Sequence, residues 1–161
     1  VFSPLADEAP AAGADAVFLP GGYPELHAGR LAAAGTFRSG LRAAAARGAL
    51  VYGECGGYMA LGEGLVDAAG VRHAMLGLLP LETSFAERRR HLGYRRLVPL
   101  AGAPFEGDLM GHEFHYATTL AEAAGAARLF AVSDALGADL GEAGLRVGQV
   151  MGSFCHVIDR R

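Results

Sequence analysis

The pattern of hydrophobic and polar positions changes character about halfway along the chain. In the first part, short uninterrupted apolar runs stand between stretches of helical spacing. Ala16-Val17-Phe18-Leu19 ends in Pro20-Gly21-Gly22-Tyr23-Pro24-Glu25, and the run over 49–52 ends in Gly53-Glu54-Cys55-Gly56-Gly57. Apolar runs of this length closed by Gly and Pro predict buried parallel strands feeding tight loops. Residues 26–34 and 37–47 carry helical spacing. In the second of these, Leu41, Ala44 and Ala45 share a face, Arg38, Arg42 and Arg47 lie elsewhere, and Gly48 is the stop. A further helix is expected over 58–65. The order strand, loop, helix, strand, turn, helix predicts an α/β fold with a mostly parallel central sheet and flanking helices. Such sheets bind ligands at the carboxyl ends of their strands, where both glycine loops, 21–22 and 56–57, fall.

The second part is richer in β-formers. Segments 92–100, 111–118, 127–133 and 145–151 are separated by Gly and Pro turns and are expected to add largely antiparallel strands to the sheet. At 161 residues and 52% hydrophobic content the chain is long enough for one domain, 1–161, with a substantial core. A net charge of −3 spread along the chain argues against nucleic acid as a partner. The apolar runs fall well short of the ~20 residues of a membrane span. Two cysteines make no disulfide framework, which with the lack of a visible signal peptide points to a reducing, cytoplasmic setting. The chain does not begin with Met and reads as a piece of a longer protein. All 14 basic residues are Arg, so no G-K-[ST] phosphate loop exists here. Arg88-Arg89-Arg90 with Arg95-Arg96 reads either as a solvated loop or as a docking surface for a second domain or an acidic substrate.

The chemistry concentrates at Val51-Tyr52-Gly53-Glu54-Cys55-Gly56-Gly57-Tyr58. This is the cysteine form of a nucleophile elbow, G-x-C-x-G. A sharp strand-to-helix turn strains the backbone of its nucleophile and needs small neighbours. A buried structural thiol would not require glycines at −2, +1 and +2. The turn aims the Gly56 N–H at whatever bonds the sulfur, and the start of a helix there is expected to favour thiolate.

A cysteine nucleophile needs a base, usually a histidine distant in sequence. His156, after the Gly152-Ser153 break, is the best placed of six histidines. His73 and His91 sit in polar, Arg-containing surroundings and are expected to be exposed, and His27 to line the edge of the first glycine loop. In 112–116, strand alternation puts His112, Phe114 and Tyr116 on one face and Glu113 with His115 on the other. A metal pair at His112 and His115 would point to opposite faces, so no metal is expected. A substrate-contacting strand and a polar sheet edge both fit this segment. Gly21 and Gly22 allow close approach of backbone N–H groups to an oxygen, and with Gly56 N–H they make a two-donor oxyanion hole.

Leu19-Pro20-Gly21-Gly22-Tyr23-Pro24-Glu25, Gly53-Glu54-Cys55-Gly56-Gly57-Tyr58, Gly111-His112-Glu113-Phe114-His115-Tyr116 and Gly152-Ser153-Phe154-Cys155-His156 together resemble the glutaminase domain of cobyrinic (hydrogenobyrinic) acid a,c-diamide synthases, a class I, flavodoxin-like glutamine amidotransferase of the cobalamin-pathway type. The resemblance covers nearly the whole chain. It implies that Cys55 attacks the side-chain amide of L-glutamine, that His156 shuttles the proton, and that Gly21, Gly22 and Gly56 hold the oxyanion of a thioester-forming reaction. It implies Tyr23, Glu25, Tyr58, His115 and Tyr116 as walls of the glutamine pocket. It also implies a companion synthetase domain, absent from this chain, where ATP and Mg²⁺ activate the a and c carboxylates of a corrinoid, either cobyrinate or hydrogenobyrinate. No cofactor is expected in this domain. Relatives often carry an acid two residues after the histidine. Here Ile158 holds that position and Asp159 would point away, which leaves a Cys-His dyad and an open third place. Cobyric acid synthase, a peptidoglycan-lipid amidase, a cysteine hydrolase of other amides and an inactive interaction domain are the competing readings.

Overall fold

A computed structural model describes residues 1–160. In its first half the chain runs through β1 (Ala16–Leu19), α1 (Ala28–Ala33), α2 (Gly35–Ala46), β2 (Leu50–Glu54), α3 (Gly56–Leu61), β3 (Gly64–Val66), β4 (Arg72–Ala74) and β5 (Leu81–Ser84). The second half is all strand: β6 (His91–Pro99), β7 (Leu109–His115), β8 (Thr118–Glu122), β9 (Phe130–Asp134), β10 (Asp139–Ala143), β11 (Leu145–Val147), β12 (Val150–Ser153) and β13 (Cys155–Arg160).

These strands form three sheets. The first, in order β1-β2-β12-β11, holds the parallel core: β1 and β12 both run parallel to β2. The inner strands β2 and β12 are covered on both faces, which fits their unbroken apolar character, whereas the edge strand β1 buries Val17 and Leu19 and leaves Ala16 and Phe18 exposed. Val17, Leu19, Val51 and Val150 pack into one cluster with Leu31, Phe37 and Leu41 from the helices. Tyr52 and Met151 point the other way, into a second cluster with Leu97, Leu109, Phe130 and Val132. That second cluster cements the parallel core to a five-stranded antiparallel sheet, β10-β9-β6-β7-β13. A third sheet, β4-β3-β5-β8, follows the elbow helix.

Helix α2 buries Phe37, Leu41 and Ala44 at spacings of four and three. Burying a side chain such as Phe37 or Leu41 contributes ~1.5–3 kcal/mol. No side chain of α2's own cap residue closes its first turn. Asp7 does so from outside, accepting the Phe37 N–H at 2.9 Å. Gly48, at φ 87°, ends the segment as its position after the last periodic residue requires.

Several boundaries differ from the sequence pattern. Segment 145–151 is two strands, because the chain reverses at Gly148 (φ 57°), and its second half joins the parallel core beside β2. Segment 58–65 splits into the end of a six-residue helix and β3. Segment 26–34 opens with a 3-10 turn, Pro24–Leu26, before α1. The short or exposed strands β4, β5, β8 and β10 carry too little apolar alternation to stand out. The basic cluster also divides. Arg88, Arg89 and Arg90 are exposed, whereas Arg95 and Arg96 pair with Glu113 and Asp108.

Candidate active site at the strand-to-helix elbow

Cys55 sits between the end of β2 and the start of α3 at φ 48°, ψ −104°. It and Asp7 are the non-glycine residues of positive φ among those described. The strain is held in place from both sides: the Cys55 N–H donates to the Ser153 carbonyl at 2.8 Å, and its own carbonyl accepts the first α3 bond from Met59. The flanking glycines are required by contact. A Cβ on Gly57 would land on the Leu19 carbonyl, and one on Gly56 would lie 2.8 Å from the Gly22 nitrogen. The elbow and the Pro20–Pro24 loop are thus in backbone contact.

His156 comes from β13, opposite His112 of β7. Its ring reaches back over the Gly21 backbone. A Cβ built on Gly21 would lie 2.6 Å from His156 Cε1, 3.4 Å from its Nε2 and 3.6 Å from Cys55 Cβ. Gly21 is therefore the floor between nucleophile and base. Cys55, His156, Gly21, Gly22, Tyr23, Glu25, His115 and Tyr116 line one cavity of about 230 Å³, suited to a small metabolite. Met59, Phe85 and Phe114, which the sequence reading did not single out, complete its wall. A larger cavity, about 480 Å³, lies on the far side of the Pro20–Pro24 loop. Phe2, Leu5, Phe18, Leu31 and Phe37 make it mainly apolar, and it holds neither Cys55 nor His156, so the chemistry belongs to the smaller one.

Three expectations need correction. Tyr58 is not a wall of this cavity. It is 1% exposed, packs edge-on against Phe154 and faces Glu122 at 3.5 Å, one helical turn away from the site. The Cys55 thiol is not a ready thiolate. Burial raises it to about 11; the Gly56 N–H pulls it down as expected, but Glu25, Glu54 and Glu113 push it up further. In this resting arrangement its Sγ lies 3.7 Å from the Phe114 carbonyl oxygen. His91 and His73 are partly buried rather than exposed: His91 stacks on His115 at 4.5 Å, and His73 bonds Asp67 at 2.8 Å. Apart from the His112–His115 pair, Glu113, His115 and the cross-strand His91 bring possible ligand atoms within 4.8 Å of one another. Two of these three residues are already engaged. Glu113 bonds both Arg95 and His115, and the second His115 nitrogen bonds the Ala117 carbonyl.

That engagement makes His115 a fixed wall. Its ring is also stacked on Phe154 at 3.9 Å. The Glu113 carboxyl is held at about 2 by its hydrogen bonds from His115 and Arg95, against the opposing effect of burial. Cys155 faces away from His156, as alternation requires, into the second apolar cluster, where burial raises its thiol to about 12.

The largest omission of the sequence reading is Glu54. It is 8% exposed, its Oε2 lies 3.3 Å from His156 Nδ1, and its Oε1 accepts the Val157 N–H at 3.1 Å. Its position next to the nucleophile was visible, but only the return of β13 shows what it faces.

A strained cysteine on an elbow, a histidine converging on the same cavity and the Gly56 N–H acting on the sulfur are parts of an acyl-transfer site. Residues 1–161 match the family of CobB/CobQ-like glutamine amidotransferase domains, and the chain belongs to it. It is 72% identical over 158 residues to a hydrogenobyrinate a,c-diamide synthase from Sinorhizobium sp, covering 98% of this chain and 36% of that protein. The enzyme of the same name from Brucella abortus is 68% identical over 158 residues, with the same coverage, and that from Rhodobacter capsulatus is 58% identical over 160 residues, again 98% and 36%. The chain thus spans about a third of the length of these relatives. Among solved structures, a glutamine amidotransferase from Thermotoga maritima superposes with a TM-score of 0.56 at 17% identity, over 92% of this chain and 58% of that one. Another glutamine amidotransferase gives 0.58 at 19%, over 88% and 70%. These likenesses establish the shared fold.

Proposed function

We propose that this chain hydrolyses the side-chain amide of L-glutamine and delivers the ammonia to a companion domain of the same polypeptide. The observation that carries the reading is the convergence of Cys55, held at φ 48° on the elbow, and His156 across Gly21. With a thiol raised to about 11, attack is coupled to proton transfer. Substrate draws Sγ away from the Phe114 carbonyl. The sulfur adds to the amide carbon as its proton passes to His156 Nε2. The N–H groups of Gly22 and Gly56, with Gly21 shaping the loop, receive the oxyanion. The intermediate collapses by breaking the C–N bond, and His156 returns the proton to the departing ammonia. A γ-glutamyl thioester remains. Water, deprotonated by His156, then cleaves it to glutamate. Glu25 is the carboxylate of the cavity suited to the substrate's ammonium, while Tyr23, Tyr116 and His115 shape its sides.

The ammonia goes to the a and c carboxylates of hydrogenobyrinate, activated in the companion domain with ATP and Mg²⁺. The 72% identity to a hydrogenobyrinate a,c-diamide synthase favours this acceptor over cobyrinate or the substrate of cobyric acid synthase. This chain, with no lysine and no phosphate loop, does not fit an ATP site, and no step here passes through one. No helix among the described residues is long and apolar enough to cross a membrane, and the proposed reaction is a cytoplasmic one. In the complete polypeptide, Cys55→Ala is expected to abolish amidation driven by glutamine while leaving amidation driven by ammonium salts. Loss of both, or of neither, would contradict the assignment.

A further inference from the structure

We infer that Glu54, the residue immediately before the nucleophile, is the positioning residue for His156. This extends the glutaminase reading to the place that Ile158 and Asp159 do not fill. Ile158 is 58% exposed, and Asp159 follows an irregularity in the β13 register and spends its carboxylate on the Arg160 N–H. Glu54 instead reaches His156 from a different element. Its backbone is opposite Ser153 in the β2–β12 ladder, so the strand end that strains Cys55 also fixes Glu54. One carboxylate oxygen ties down β13 through the Val157 N–H, and the other is 3.3 Å from His156 Nδ1. Such contacts tighten when substrate closes a site.

A carboxylate buried beside a nucleophilic thiol is electrostatically adverse to that thiol, and Glu54 does push Cys55 up. It also carries a desolvation cost. Both costs are offset if its charge serves the imidazole. A proton on Nδ1 facing Glu54 leaves Nε2, the ring nitrogen beside Gly21, free to take the Cys55 proton. When that proton arrives, the imidazolium faces a carboxylate already in place. Base and nucleophile are thereby aligned by one strand end.

The test is a cycle of Glu54→Gln, His156→Ala and the double variant in the complete polypeptide, read by glutaminase kcat and KM and by the rate of Cys55 alkylation with iodoacetamide, with thermal unfolding as the check on folding. Glu54→Gln keeps size and shape. It is expected to lower kcat by about 10²-fold with KM for glutamine unchanged, to slow alkylation while His156 is present, and to cause no slowing in the His156→Ala background, where loss of the carboxylate that pushes Cys55 up speeds alkylation if it changes it at all. Equal effects with and without His156, or unchanged kcat and alkylation, would overturn the role. If the wild type released no glutamate, the glutaminase reading would fail, and the alkylation cycle would still decide whether Glu54 acts through His156. Should Glu54→Gln unfold, Val157→Pro, which removes the N–H that Glu54 accepts, gives the second arm. Slowed alkylation that again depends on His156 supports the role, and additive slowing refutes it.

Discussion

Gly21 and Gly22 are adjacent, both exposed and both on the loop that faces Cys55, yet they have opposite tolerances for a methyl group. A Cβ on Gly22 meets nothing within 4 Å. A Cβ on Gly21 falls 2.6 Å from His156 Cε1, where ordinary contact begins at 3.4 Å, so the ring must retreat by about 1 Å. Displacing a catalytic group by that much costs ~10²-fold in rate, equivalent to about 3 kcal/mol of transition-state stabilisation. Neither glycine has a positive φ, and both substitutions keep the backbone N–H, so neither removes an oxyanion donor or strains the chain. Gly21→Ala is therefore expected to lose about 10²-fold in glutaminase kcat with thermal stability unchanged, and Gly22→Ala to remain near wild type in both. Steady-state glutamate release and thermal unfolding on the two variants decide it. Wild-type kcat in Gly21→Ala, or equal losses in both variants, would refute the placement of Gly21 between nucleophile and base.

Other expectations follow from the same geometry. Glu113 is held at about 2 from an ordinary value of 4.5, so its contribution to stability, about 3 kcal/mol, is complete above pH 4.5 and is lost as pH falls toward 2. Denaturant titration of Glu113→Gln should show lower stability than wild type at neutral pH and a difference that shrinks on acidification; a constant difference would count against the pairing. Tyr58→Phe should leave KM for glutamine unchanged, because Tyr58 faces Glu122 outside the cavity, whereas Tyr116→Ala should raise it. Cys155→Ala should retain glutaminase activity, since its thiol lies in the second apolar cluster.

What was legible in the sequence is what steric crowding imposes locally. The elbow could be read because a residue at φ 48° between a strand and a helix leaves room only for glycine beside it. The parallel core could be read because burial on both faces gives an unbroken apolar run at 49–52, and because the edge strand at 16–19 is apolar on its outer face too, where Phe18 stacks on Tyr52. The partnership of Cys55 with His156 followed from chemistry, and the fold brings the two to one cavity. What was hidden depends on distant elements. Glu54 acquires its meaning only when β13 returns beside β2. Tyr58 looked like a pocket residue because it neighbours the elbow, but its ring packs on Phe154 and faces Glu122 outside the cavity. The thiol's shift came out opposite in sign to the local expectation. One helix N–H acts on it as foreseen, while burial and three carboxylates, those of Glu25, Glu113 and the adjacent Glu54, outweigh it.

The most direct measurement is the intact mass of the complete polypeptide after incubation with a diazo-ketone analogue of glutamine, for wild type, Cys55→Ala and His156→Ala. The expected result is a single adduct on wild type that maps to Cys55, none on Cys55→Ala, and slowed labelling of His156→Ala. An adduct that persists in Cys55→Ala, or that maps to Cys155, would contradict the elbow cysteine as the glutamine nucleophile.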